Sequence, residues 1–60
     1  MTTYIVKLDK YRGGRIVGKP IIIEVLSNMT GRQAAENMRD LYDKDAKDDE
    51  FYMVDSWKIK

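Results

Sequence analysis

The hydrophobic period switches twice along this chain, from two residues to about 3.6 and back to two, which predicts two strands, one helix and a closing strand. Tyr4, Val6 and Leu8 alternate with Ile5, Lys7 and Asp9, so residues 3 to 11 read as a first strand. Ile21, Ile23 and Val25 alternate with Ile22, Glu24 and Leu26, and β-branched residues at this density favour a pleated surface. The second strand is expected over residues 20 to 26, reaching back to about Ile16.

Gly13-Gly14 stands between the two runs and suits a two-residue type I′ turn, in which both central residues take positive φ. That turn sets a register. Val6 would face Ile21, Tyr4 would face Ile23 and Thr2 would face Val25 on one side, with Ile5 against Ile22 and Tyr11 against Ile16 on the other. Gly18 and Pro20 interrupt this register, because proline donates nothing to a ladder, so the second strand belongs at an edge or the loop is longer than two residues.

After Leu26 the period becomes helical. Thr30 and Gln33 have capping-box spacing, and Ala34, Ala35, Met38, Leu41, Tyr42 and Ala46 form one stripe, which predicts a helix over residues 30 to 45. Arg32/Glu36, Arg39/Asp43 and Asp40/Lys44 are spaced four apart on the polar face.

Residues 51 to 59 form a third strand. Phe51, Met53, Trp57 and Ile59 share a face with Asp55, while Tyr52 and Val54 share the other with Ser56 and Lys58. A carboxylate amid the apolar set means that Asp55 lies at the rim, or that a bulge at Asp55-Ser56 turns Val54 and Trp57 to the same side. Trp57, Met29, Met38 and Met53 are the large side chains expected to fill the core or brace the helix start.

The expected fold is a single α+β domain over residues 1–60 in ββαβ order. It has a three-stranded, mainly antiparallel sheet with the first strand central (order 2-1-3) and one amphipathic helix across one face. The order resembles half of a ferredoxin-like unit, a likeness of fold that implies no particular activity. One helix covers one face only. The other is expected to present Ile5, Tyr11, Ile22, Tyr52 and Val54, edged by Lys7, Lys58 and Lys60.

Sixty residues without cysteine or histidine lack thiolate nucleophiles, thiolate metal sites and the commonest general base and metal ligand, and they leave little room for a cleft. The glycines at 13, 14, 18 and 31 do not have the spacing of a nucleotide loop. Asp43 to Glu50 is acidic, but Lys47 occupies a ligand position and the sharp-turn glycine of a calcium loop is missing. Asp55 beside Trp57 lacks the second group that acid–base catalysis needs. No enzyme activity, cofactor or metal is therefore expected.

The formal charge of +1 conceals a partition. Residues 1–20 carry Lys7, Lys10, Arg12, Arg15 and Lys19 against Asp9, a net of +4, whereas residues 40–50 carry six acids against Lys44 and Lys47, a net of −4. Two readings of function follow. The first is a non-enzymatic protein-interaction module or accessory factor, of a kind common among phage and microbial proteins. It docks a protein partner or a second copy of itself through the open sheet face or an edge strand. The second is a small nucleic-acid binder, with Lys10, Arg12, Arg15 and Lys19 on phosphates and Tyr11 or Tyr52 stacked on bases. The longest apolar run, Ile21 to Ile23, falls far short of the ~20 residues that cross a bilayer, and the first ten residues contain no signal-peptide core. A cytoplasmic protein with no membrane partner is expected.

Overall fold

The computed structural model describes residues 1–60. The strands are β1 (Thr2–Arg12), β2 (Arg15–Ile16), β3 (Ile21–Ser27) and β4 (Glu50–Ile59), with helix α1 (Gly31–Lys44) between β3 and β4. All pairings are antiparallel, and β1 is central: β2 and β3 follow one another along one of its edges and β4 lies along the other. The expected second strand is thus present but broken, which makes the sheet four-stranded.

The break lies at Val17 to Pro20. Gly13 and Gly14 take φ of 58° and 80°, both positive as a type I′ turn requires, and Tyr11 faces Ile16 as that turn predicts. Val17 N–H still donates to Lys10 C=O at 2.9 Å, but Gly18 then turns to φ 73° and Pro20 has no N–H to offer. When pairing resumes, two additional residues have been spent. The expected partners of Val6, Tyr4 and Ile5 are corrected to Ile23, Val25 and Glu24, and Thr2 faces Ser27. An insertion of two preserves the side-chain parity, so each residue keeps its face although its partner changes.

A second irregularity has the opposite effect. Lys7 pairs with Ser56 and Leu8 with Val54, which leaves Asp55 as an extra residue in β4. This bulge, one of the two arrangements expected, inverts the parity of everything before it. Val54 and Tyr52 therefore turn toward α1, a correction to their expected place on the open face, while Phe51 and Met53 turn out onto that face. Met53 is consequently not a core residue.

The core is small. Tyr4, Val6, Leu8, Ala34 and Ala35 are buried, with Ile21, Ile23, Val25, Met38, Tyr42 and Val54 packed around them. Gly31, Ala34 and Ala35 form the buried surface of α1, and their small side chains bring the helix close over β1 and β4. Leu41 lies on the flank of that stripe and remains half exposed rather than buried. Thr30 caps the helix, its hydroxyl accepting from Gln33 N–H at 3.2 Å. Arg32 pairs with Glu36 at 3.4 Å, whereas Arg39 turns to the adjacent Asp40 at 3.0 Å instead of reaching Asp43, and Lys44 makes no ion pair.

Trp57 sits on the helix side of the sheet, its ring edge-on to Tyr4 with centroids 5.9 Å apart and its six-membered ring lying over Gly31. It anchors the helix start but is 43% exposed, so it forms the margin of the core rather than its centre. Tyr4 Oη donates to Met29 C=O at 2.8 Å and ties the loop before the helix to the central strand. At the other end Asp43 Oδ1 accepts from Tyr52 N–H at 2.8 Å and joins the helix to β4.

Candidate functional site

The sheet face away from α1 has no element packed on it. Its residues follow from the register. Along β1 it presents Ile5, Lys7, Asp9 and Tyr11; along β2 and β3, Ile16, Ile22, Glu24 and Leu26; along β4, Phe51, Met53, Asp55, Ser56 and Lys58. Of the expected interface residues, Ile5, Tyr11 and Ile22 lie here together, and Tyr52 and Val54 do not.

Two apolar areas form at opposite ends. At the hairpin end Tyr11 has Ile16 on one side and Phe51 on the other, and the Tyr11 and Phe51 rings stack with centroids 5.0 Å apart and planes 3° from parallel. Directly opposed residues on neighbouring strands bring these rings together, and such pairs stabilise a hairpin even on a wet face. Met53 extends this raised patch. At the far end a depression of about 550 Å³ is lined by Ile5, Lys7, Ile22, Ser56, Trp57 and Lys58.

Charged groups are interspersed with these apolar areas. Lys7 Nζ lies 3.7 Å from Asp55 Oδ2, and near the rim Lys60 Nζ lies 2.5 Å from Glu24 Oε1. Asp9 has no ion-pair partner within the chain. Lys7, Lys58 and Lys60 balance Asp9, Glu24 and Asp55, so the face is electrically neutral overall.

No protein-family model, curated protein or solved structure matches this chain. The candidate site therefore rests on its own geometry. No three His, Cys, Asp or Glu side chains are placed to share a metal ion, and no buried side-chain polar atom is left without a hydrogen-bond partner.

The basic hairpin tip is also located by the structure, and it is not isolated. Arg12 and Glu50 are cross-strand partners; Glu50 Oε2 accepts from Arg12 Nε at 2.9 Å and from Nη2 at 2.5 Å, and Lys10 Nζ lies 3.5 Å away. Glu50 is buried beneath these cations, and its Oε1 accepts from Lys47 N–H at 3.3 Å. Gly13 N–H donates to Asp49 C=O at 3.1 Å, which binds the turn to the acidic loop. The two oppositely charged segments are thus neighbours and partly cancel. Arg15 and Lys19 are exposed and have no ion-pair partner. Tyr52 is occupied on the helix side, edge-on to Tyr42 at 5.3 Å and with Lys10 Nζ 6.0 Å from its ring centroid.

Sequence reasoning treated Glu50 only as part of an acidic run. Its pairing depends on the start of β4 meeting the end of β1, which no local pattern reports. The Arg12 hydrogen bond holds the Glu50 carboxyl below its ordinary value of 4.5 despite opposing desolvation, with the Lys47 N–H and the Lys10 charge acting in the same direction as Arg12. A carboxyl lowered in the folded state binds its proton more readily when unfolded, so this contribution to stability is complete above about pH 4.5 and is lost as pH falls through the lowered folded value. Thermal melts followed by circular dichroism from neutral to acid pH are expected to show a falling midpoint over that window. Glu50→Gln should flatten the fall; an unchanged acid slope in that variant would remove Glu50 from the account.

Proposed function

We propose that this chain is a non-enzymatic protein-interaction module that docks a protein partner through the open sheet face. The carrying observation is the Tyr11–Phe51 stack with Ile16 and Met53 beside it, on a face to which the fold contributes no cover. Aromatic and methionine side chains are enriched at protein interfaces. The accessible surface, 4419 Å², exceeds the roughly 4,000 Å² expected of a folded monomer of 7.0 kDa.

The face is favoured over an edge strand. The β2–β3 edge is broken at Gly18 to Pro20, and the β4 edge is bent by its bulge at Asp55; both devices deter strand addition. The nucleic-acid reading has less support, since Glu50 engages two of its four cations and the acidic loop adjoins the turn. A polyanion approaching the turn would also meet the acidic loop, whose Asp49 C=O accepts from Gly13 N–H.

Site-specific photocross-linking tests the reading. A photoreactive residue in place of Phe51 should couple to protein in cells, whereas the same residue in place of Leu41, exposed on the helix side, should not. Equal coupling from both positions, or none from position 51, would defeat it.

A further inference from the structure

The open face carries a raised aromatic patch at one end and a depression at the other, and they are placed symmetrically along the same strand. Tyr11 marks the patch and Ile5 lines the depression, so their midpoint along β1 is the level of Leu8. Lys7 and Asp9 flank that same level, one of each sign, and Asp9 is the face's unpaired carboxylate. One two-fold axis at Leu8, running across the strands between two stacked sheets, therefore satisfies three requirements at once. It sets the Tyr11–Phe51 stack of each copy against the Ile5 depression of the other. It places each Lys7 opposite the other copy's Asp9, and it makes the two central strands antiparallel.

We infer that the occupant of the open face is a second copy of this chain, stacked face to face in this register. The inference rests on the reading of that face as a docking surface. Stacked sheets in proteins lie about 10 Å apart with strands within about 30° of alignment, a separation that side chains of this size fill. The molecule is flat, 36 × 19 × 13 Å along its principal axes, so a second copy stacked on its broad side would cover the open face along its length. Lys58 in the wall of the depression would lie over the incoming aromatic rings, where an ammonium meets the negative face of the π system. A neutral face with both signs interspersed can meet itself without net repulsion, and two-fold association uses one patch on both copies.

A charge exchange tests the register. Sedimentation equilibrium of the unaltered protein at high micromolar concentration should give twice the mass of 7.0 kDa. Lys7→Glu alone sets acid against Asp9 and should weaken association at least tenfold; Asp9→Lys alone should do the same. The double variant Lys7→Glu/Asp9→Lys restores opposite charges across the axis and should recover most of the association, with circular dichroism reporting the fold of each variant. A strict monomer for the unaltered protein would overturn the inference, and so would a double variant no better than either single one. If the protein is monomeric while a residue at position 51 still couples to a different protein, the second copy is excluded and the docking face stands. Absence of both signals removes both.

Discussion

Leu8→Ala is expected to unfold the protein at room temperature. Leu8 is fully buried at the centre of β1, facing Ile21 on one side and Val54 on the other. Truncating a buried leucine costs about 2–5 kcal/mol through lost transfer energy and the cavity left behind. A single core in a chain of this size rarely supplies more than ~3–5 kcal/mol, so one such loss consumes most of the margin. Circular dichroism at 25 °C should show loss of the sheet and helix signal and of any cooperative melt. Leu26→Ala provides the contrast: Leu26 is 61% exposed on the open face, and its removal should change stability by no more than about 0.5 kcal/mol. Were Leu8→Ala to melt within a few degrees of the parent, the core would be elsewhere.

Gly31→Ala should displace Trp57. A Cβ on Gly31 would lie 2.1 Å from Cζ3 of the Trp57 ring, far inside van der Waals contact. The glycine has ordinary backbone angles, so its value is the space it leaves rather than any freedom of φ. Overpacking of this kind costs about 1–3 kcal/mol, more than the small propensity gain of alanine in a first turn. The ring can escape only outward, toward solvent. Trp57 is the one tryptophan, so its fluorescence should shift to longer wavelength as the melting temperature falls. Unchanged emission and stability would mean that the ring does not lie against the helix start.

These two positions show where the sequence is readable. Leu8 belongs to an alternation that any strand pattern reveals, and the order of elements, the central place of β1 and the helix cap at Thr30 followed from similar local signals. Gly31 offers no such signal, because its role depends on a ring 26 positions away. The faces of β4 divide in the same way. Alternation placed Trp57 on the core side correctly and Tyr52 and Val54 incorrectly, because one extra residue at Asp55 inverts the parity between them. The awkward carboxylate in the apolar set was the visible trace of that bulge, yet it did not say which half of the strand would turn over. The interruption at Gly18 to Pro20 was equally visible, and since it inserts an even number of residues it moved partners without moving faces. For the interaction surface this means that Ile5, Tyr11 and Ile22 were legible, while Phe51 and Met53 were not.

The central position of β1 also governs the order in which the molecule can form. The first strand of the chain needs partners on both edges, and the second of these, β4, begins only at Glu50. Contacts across so much of the chain must overcome the entropy of closing a long loop before they add any stability, which slows folding relative to helical proteins of similar length. On a ribosome the hairpin of β1 with β2 and β3 emerges early but lacks the helix and the strand that cover Val6 and Leu8. Those side chains remain open to wrong partners until α1 and β4 have followed. The hairpin alone is therefore not a folded unit, because its buried side chains are covered only by elements that follow it along the chain.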